Sequence, residues 1–321
     1  MNWEALGRLR ARFLSFESAT STDYWSSPDE LDSYDFTFAE RIGWKWDTVI
    51  AELKTRGWKP PIGDIVDYGC GTGVAGRRVV AAWPEQARKL RLRDRSLAAM
   101  QFARRRAEVQ FPWLPIEIDS VEGDVMVISH VLNELSEESL ETLIALVMRA
   151  KVVLWVEPGT AVVSRALIAI RERLLVQGLF FRAVAPCPHA LKCGLLSPGN
   201  QRHWCHHFAK VPLSIFQDPG WSQFSKRLEV DLRSIPLSYL VLDRRPVEAG
   251  SPTDNLSRII GHPRHYKGYD KVLSCQSSGV HDWVLQKRDA PDLYREMKKD
   301  PGSLYHWKIE AGKIRSGTRI F

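Results

Sequence analysis

The 321-residue sequence predicts an α/β protein in which helices wrap a parallel sheet. Three observations carry that expectation. Strand-like and helix-like stretches alternate at least four times between Asp64 and Gly178. The strand-like stretches are short continuous apolar runs, such as "DVMVIS" and "KVVLWV", as in strands buried on both faces. The first of them ends in a glycine-rich turn, "VDYGCGTGVAG", that opens directly on a helix. Strand–helix units repeated in this way build parallel sheets.

The elements follow in order. Residues 1 to 58 read as mainly helical, with a density of aromatics (Trp25, Tyr34, Phe36, Phe38, Trp44, Trp46, Trp58) suited to core or docking surface. "KPPIGD" breaks the helix and opens the first strand. "DIVDY", "KLRLRD", "DVMVISH" and "KVVLWVEPG" read as strands, each followed by a helix: "GVAGRRVVAAWP", "SLAAMQFARRRAEVQ", "SEESLETLIALVMRA" and "AVVSRALIAIRERLLVQG". Ser136 is placed to cap the third of these helices, whose first turn is acidic. After Gly178 the rhythm breaks into a cysteine- and histidine-rich stretch. Short strand-like pieces follow: "RLEVDL", "SYLVLD", "KVLSC" and "DWVLQKR", with "SCQSSGVHDW" as a hairpin turning at Ser-Gly. The expected organisation is a helical segment at 1–60 and one α/β domain at 61–321, with an insertion at about 182–210 and a C-terminal β-hairpin.

Composition narrows the class. The chain is 44% hydrophobic and 26% charged, as ordinary globular proteins are. No apolar run approaches the roughly 20 residues of a membrane helix, so no membrane partner is expected. The N-terminus lacks the apolar core of a secretory signal, and Glu4, Glu17 and the acidic run Asp29 to Asp35 argue against a transit peptide. A cytoplasmic monomer is expected, with the mitochondrial matrix as the alternative location. Five cysteines without a secretory signal make a disulfide framework unlike this chain, and their clustering suits metal binding. The net charge is +7, and between Glu85 and Ala107 eight Lys/Arg stand against two acidic residues. That imbalance raises the odds of a polyanionic partner such as RNA or DNA.

The glycine turn is the first candidate site. Asp67, Gly69, Gly71 and Gly73 stand between strand and helix, where glycines let backbone N–H groups approach a ligand. Asp94 ends the next strand, where an acidic residue can bind both hydroxyls of a ribose. Dinucleotide sites use Gly-x-Gly-x-x-Gly, a form also contained in Gly71, Gly73 and Gly76, so NAD is an alternative. The "DYGCGTG" form resembles the first motif of the Rossmann-like class I S-adenosylmethionine-dependent methyltransferases. The resemblance implies that Gly69, Gly71 and Gly73 line the methionine and ribose part of S-adenosyl-L-methionine, that Asp67 holds the loop and the methionine amino group, that Asp94 binds the ribose and that Asp124 lies near the adenine. Cys70, inside the turn, reads as a small packing residue. Such enzymes acting on exocyclic amines often carry an Asn/Asp-Pro-Pro-aromatic motif after the fourth strand. This chain has "HVLNEL", which leaves His130, Asn133 and Glu134 as polar candidates, with helix capping as the alternative role.

The second candidate site is "APCPHALKCGLLSPGNQRHWCHHF", which packs three cysteines and four histidines into 24 residues. Cys187, Cys193 and Cys205, with Cys275 further on, suit Zn²⁺ or an iron–sulfur cluster, and their spacing leaves the metal open. "EPGT", "APCPH", "HWCHHF" and "RIIGHPRHYKGYDKVLSC" resemble the Rsm22 family over about residues 60 to 290. The resemblance implies a role at the small ribosomal subunit or its 16S-type rRNA. It also implies a [4Fe–4S] cluster held by Cys187, Cys193, Cys205 and Cys275. His189, His203, His206 and His207 would then donate to sulfurs or contact phosphate, a Cys₃His zinc site being the alternative. The chain is thus expected to be a methyltransferase-like protein acting on rRNA, or an assembly factor that uses cofactor and cluster structurally.

Overall fold

A computed structural model describes residues 1–14, 25, 27–176, 181–246 and 256–321. The aromatic-rich start folds into α1 (Trp3–Leu14), α2 (Pro28–Tyr34) and α3 (Glu40–Thr55), the last two joined by a π-helical turn, Asp35–Ala39. The second half of the expected first helix, after Leu14, lies outside the described residues. Five strands follow: β1 (Gly63–Tyr68), β2 (Ala87–Arg93), β3 (Ile116–Ile118), β4 (Val125–Ser129) and β5 (Val152–Pro158). They pair in the order β3-β2-β1-β4-β5, every pairing parallel. The connecting helices are α4 (Val74–Ala82), α5 (Leu97–Gln110) and α6 (Glu137–Val147). Ser136 caps α6 by accepting from Ser139 N at 3.2 Å, and Ser96 caps α5 in the same way.

The described chain divides into two compact units, residues 1–158 with 208–237, and residues 159–207 with 238–321. This differs from a boundary at residue 60. The helical start belongs to the first unit because buried charge ties it there. Asp35 accepts from Arg77 of α4 at 2.6 Å and from Arg106 of α5 at 3.0 Å, and the Asp35 side chain is only 3% exposed. A carboxylate so buried is stable only with its cationic partners in place. The expected strand "RLEVDL" is also corrected. Its first two residues finish a helix, Pro219–Leu228, which Asp218 caps at the start, and Glu229 stops that helix in a left-handed conformation.

The second unit begins with α7 (Ala161–Val176), β6 (Arg182–Ala185) and the cysteine-rich loop, which runs to the short β7 (His207–Phe208). The Pro219–Leu228 helix of the first unit is α8 in chain order. β8 (Pro236–Asp243) pairs antiparallel with β6. Where a hairpin was expected, the C-terminus builds a closed barrel. Its strands are β9 (Leu256–Ile259), β11 (Tyr269–Gln276), β12 (Gly279–Gln286), β13 (Leu304–Glu310) and β14 (Lys313–Arg319), with β10 (Arg264–Tyr266) pairing on the edge of β11. The order runs β9-β11-β12-β14-β13, and β13 closes back on β9. Every pairing is antiparallel except β12 with β14, which is parallel. The expected hairpin is its β11–β12 portion, with Gln276 paired to Gly279. Val272, Leu285, Tyr305 and Ile314 fill the interior, and α9 (Pro291–Lys299) adds Leu293 and Met297 to that core.

Leu285 is fully buried in the barrel core. Leu285→Ala should destabilise the barrel by about 2–5 kcal/mol, from lost apolar transfer and the cavity left behind. Hydrogen exchange of the β11 and β12 amides would read this as faster opening.

Candidate functional site

The glycine turn is held at the carboxyl ends of β1 and β2, where open parallel sheets bind ligands. Gly69, Gly71 and Gly73 all have left-handed φ, at +69°, +50° and +80°, which side chains other than glycine rarely adopt. The Gly69 and Cys70 amides donate to Arg93 O at 2.7 and 3.0 Å. The Gly71 amide donates to Asp94 Oδ2 at 2.8 Å, while Asp94 Oδ1 accepts from Ser96 N at 3.0 Å. A Cβ on Gly73 would stand 2.9 Å from the Ala103 Cβ, whereas one on Gly71 would meet nothing within 4 Å. So Gly73 serves packing, and Gly71 faces open space.

Asp67 is fully buried at the end of β1. Its Oδ2 accepts from the Gly76 amide at 2.8 Å, and its Oδ1 is a buried acceptor without a hydrogen bond. Burial pushes its carboxyl up to about 7, against the pull of the Gly76 amide. An orphaned acceptor at the end of the strand that opens on the glycine turn is what a ligand with a cationic donor would complete. Cys70 is buried, as expected of a packing residue.

Asp124 is not in this site, and that expectation is corrected. The β1–β4 register pairs Ile65 with Val125, so Asp124 lies at the start of β4, opposite the end bearing the glycines. There it accepts from Asp64 N at 3.1 Å and pairs with Lys151 at 2.7 Å. At about 3.3 Å per residue, a five-residue strand separates it from the site by roughly 17 Å. The acidic residue at the corresponding carboxyl end is Asp119, just after β3 and in a left-handed conformation. Its amide donates to Leu92 O at 2.9 Å and its carboxylate pairs with Arg93 at 2.7 Å.

After β4 the three polar candidates separate. Asn133 is exposed, and Glu134 pairs with Arg95 at 3.1 Å. Tyr34 stands near Glu134 and Asp94. Burial first, then the Glu134, Asp35 and Asp94 carboxylates, push its hydroxyl up. His130 has a left-handed φ of +58° and lies 3.2 Å, Nε2 to Nζ, from Lys45 of α3. Burial drives the Lys45 ammonium down to about 7, and burial followed by the Lys45 charge drives His130 well below its usual range. Beside them, Trp46 Nε1 donates to Ser129 Oγ at 3.0 Å. Glu157, at the end of β5, accepts from Trp155 Nε1 at 2.7 Å and from the Val131 amide at 3.1 Å, and burial raises it to about 7. Lys45 and Glu157 escaped the sequence reading, whereas Trp46 was read among the aromatics suited to core or docking surface. The signal present was a lysine inside the apolar stripe of α3, between Trp44 and Trp46.

The basic stretch from Glu85 to Ala107 is less bare than its composition suggests. Lys89, Arg91 and Arg93 share one face of β2, and are paired with Glu117, with Asp64 and Glu117, and with Asp119. Arg95, Arg104 and Arg106 pair with Glu134, Glu108 and Asp35. Much of the imbalance is therefore met by carboxylates that folding brings in from outside the stretch.

In the second unit the four late cysteines gather in one neighbourhood, all as free thiols. Burial raises Cys205 well above an ordinary thiol, and the nearby Cys187, Cys193 and Cys275 raise it further. Cys275 is raised by burial and then by Cys187 and Cys193. Cys193 packs with Leu195, Ile168, Ile260 and Leu273, with Cys205 and Cys275 alongside. Among the described residues, no group of three or more His, Cys, Asp or Glu side chains is set to hold a metal ion as the side chains stand. His207 and His189 approach Cys205 and Cys275 at 3.6 Å through Nε2. His206 instead stacks on Trp204 at 4.7 Å, and the Arg202 Nε lies 3.1 Å from His203 Nε2.

Two buried arginines organise the loop. Arg171 Nε donates to Cys187 Sγ at 3.1 Å, and its Nη2 donates to His189 O and Leu191 O at 2.9 and 3.0 Å. Arg258 of β9 donates from Nε to Pro186 O at 3.0 Å. The Cys205 carbonyl accepts from Ser164 and Ser238 hydroxyls at 2.7 and 2.6 Å. Arg171 was legible in principle: it interrupts the buried stripe Ser164, Leu167, Ile168 and Leu174 of α7.

The parallel sheet, its strand order and the glycine turn after β1 define a methyltransferase-like α/β fold. The chain belongs to the Rsm22 family: the model of that family, described as mitochondrial small ribosomal subunit Rsm22, matches residues 49–303. Comparison with curated proteins found no match. Among solved structures, the chain is similar to magnesium protoporphyrin IX methyltransferase ChlM from Synechocystis PCC 6803 with bound SAH. The two are 12% identical with a TM-score of 0.39, over 75% of this chain and 100% of that one. It is also similar to the plantazolicin methyltransferase BpumL in complex with a pentazolic desmethylPZN analog and SAH. That likeness is 14% identical with a TM-score of 0.40, over 76% of this chain and 98% of that one. Among the described residues, no helix is long and apolar enough to cross a membrane.

Lys45 gives a pH test of the first unit. In the unfolded chain a lysine keeps its proton to about pH 10.4, whereas folded Lys45 releases it near 7. Between those values the unfolded chain binds more protons, so stability should rise with pH from about 7 towards 10. Lys45→Met should remove that rise and leave the protein more stable below pH 7, each pH unit of displacement corresponding to about 1.4 kcal/mol. Urea titrations across this pH range would check it.

Proposed function

We propose that the protein binds S-adenosyl-L-methionine and acts on the small ribosomal subunit or its rRNA. The observation that carries this is the turn at β1, where Gly71 faces open space with its amide on Asp94, and Asp67, at the end of the strand before it, keeps an unpartnered oxygen. Asp67 would hold the amino group, Gly69 to Gly73 the methionine and ribose, and Asp94 the ribose hydroxyls. Asp119 replaces Asp124 on the adenine side. When bound, the cofactor supplies an electrophilic methyl group. Asp67 and Asp94 orient it, and Lys45, at about 7, is one of three buried groups, with Asp67 and Glu157, able to change their proton near neutral pH.

The family description supports the ribosomal partner and fits the mitochondrial-matrix alternative for location. A second reading has its own support. Lys45 and Trp46 of α3 pack against His130 and Ser129 at the end of β4, so this end is occupied by the protein itself. On that reading the protein is a non-catalytic assembly factor that keeps cofactor and cluster structurally. Transfer of labelled methyl groups to small-subunit precursor particles separates the two, with Asp67→Ala as the control. Gly71→Val should abolish cofactor binding in calorimetry, because a branched side chain fills the open space and is strained at positive φ. Equal binding by Gly71→Val would move the site elsewhere.

The four cysteines are the proposed ligands of a structural [4Fe–4S] cluster, with Zn²⁺ as the alternative. Four thiols in mutual electrostatic contact suit the donor set, and such a cluster offers each thiolate its own iron. Arg171, on Cys187, would offset thiolate charge. Protein purified without oxygen should be brown with about four irons per chain. Cys275→Ser should bleach it and make residues 185–208 protease-sensitive, while Cys70→Ser should do neither. A colourless protein with one zinc would keep the ligand set and overturn the cluster.

A further inference from the structure

The C-terminal barrel has a connectivity with a functional consequence. Numbered within the barrel, its strands run 1-2-3-5-4 and close on strand 1. Strands 3 and 5 are parallel, and the helix α9 lies between strands 3 and 4. This is the OB-fold arrangement, in which the outer face of strands 2 and 3, flanked by the 1–2 and 4–5 loops, takes up oligonucleotides or oligosaccharides. The fold alone does not choose a ligand. The side chains on that face do.

Here strands 2 and 3 are β11 and β12. Asp270, Val272 and Ser274 of β11 are fully buried towards the barrel interior. By the alternation of a strand, Tyr269 and Lys271 point outward. The register sets Tyr266 opposite Tyr269, and Arg264 opposite Lys271, which in turn opposes Val284. Parallel pairing adds Lys313 beside Val284, at the 4–5 loop. The Tyr266 and Tyr269 rings stack at 4.8 Å with an interplanar angle of 7°, and Tyr266 is 43% exposed. Arg264, which also pairs with Asp282, and Lys271 lie one pleat further along. Residues 256–321 hold thirteen Lys/Arg against seven Asp/Glu, a net +6 in a chain whose total is +7.

The cysteine loop covers the Leu273–Cys275 half of this face, and we infer that the other half binds a single-stranded RNA segment, with Tyr266 and Tyr269 as the stacking platform and Arg264, Lys271 and Lys313 along the backbone track. An exposed ring stacked on a half-buried one, next to cations, suits unpaired bases on a phosphodiester chain. An uncharged oligosaccharide would gain nothing from the cations, and a duplex offers no free base faces to stack. The inference deepens the RNA-directed reading above and rests on it.

The test uses the full chain and a fluorescein-labelled oligouridylate of about twelve nucleotides, read by anisotropy at several salt concentrations. Wild type should bind it more tightly than a duplex of equal length. The double variant Tyr266→Ala, Tyr269→Ala should lose about tenfold or more, while Tyr266→Phe, Tyr269→Phe, which keeps the rings, should bind as wild type does. Lys271→Gln with Lys313→Gln should flatten the plot of log affinity against log salt by up to about 1.4, at roughly 0.7 for each phosphate no longer neutralised. Unchanged affinity in the double alanine variant, or preference for duplex, would overturn the inference. So would wild type that cosediments with small-subunit particles yet ignores the oligonucleotide, and that result would leave the ribosomal reading standing. Failure to bind either would remove both.

Discussion

The period of two along β11 sets three features of the second unit at once. Its even-numbered residues, Asp270, Val272 and Ser274, enter the barrel. Its odd-numbered residues lie on the outside, where Leu273 and Cys275 join the thiol cluster and Tyr269 and Lys271 remain beyond it. A register slip of one residue would send a lysine and a cysteine into the apolar core and expose Val272. That penalty fixes the strand, and with it the position of the fourth thiol relative to the loop that carries the other three. The loop is fitted closely at this place: a Cβ on Gly194 would stand 2.7 Å from the Val280 amide at the start of β12. The barrel is thus the platform on which the cysteine loop is organised. A stretch with two prolines beside cysteines and few apolar anchors could not offset its own ordering entropy.

Buried charge does comparable work in both units where it meets a partner. Asp35 joins two helices of the first unit through Arg77 and Arg106. Arg171 and Arg258 tie carbonyls of the cysteine loop in the second. Each such group would cost several kcal/mol if its partner were removed, so these contacts specify one arrangement of loop and helix. The exceptions stand out by contrast. Asp67 and Glu157 each keep one buried oxygen without a hydrogen bond, and both are raised to about 7 by burial. Strain concentrates near them too, with left-handed conformations at His130 and Asp119. Orphaned acceptors and strained backbone along one sheet edge mark a place shaped for something other than stability.

The parallel sheet was legible because its strands are continuous apolar runs and the helix α6 has a capping residue, Ser136. The glycine turn was legible because positive φ at three alternate positions leaves glycine as the residue that fits. β3 was missed: three residues, "IEI", give no period to read, and with it went Asp119, leaving Asp124 in the wrong role. The barrel was mostly missed for a different reason. Its closure depends on β13 returning to β9 across some 45 residues, and no local pattern encodes such a pairing. Lys45 was hidden because a single lysine in a helix normally reads as solvated, and only the tertiary packing of α3 buries it.

The distribution of charge bears on where a polyanion would be met. In the Glu85–Ala107 stretch, folding supplies carboxylates from β1, β3, the π-helical turn and the loop after β4, so that a run basic in sequence is largely paired in space. In the barrel the arrangement differs. Lys271 and Lys313 line one outward row beside Arg264, which alone of the three pairs with a carboxylate among the described residues, that of Asp282, and the stacked tyrosines lie one pleat away. A charge paired at 2.6–3.0 Å, like those of Arg77 and Arg106 with Asp35, would have to give up that partner before it could neutralise phosphate, whereas a solvated lysine releases only counterions. The sequence density of arginine is therefore a poor guide to the nucleic-acid face of this protein. The better guide is the combination of strand register, exposed rings and cations that folding leaves facing solvent.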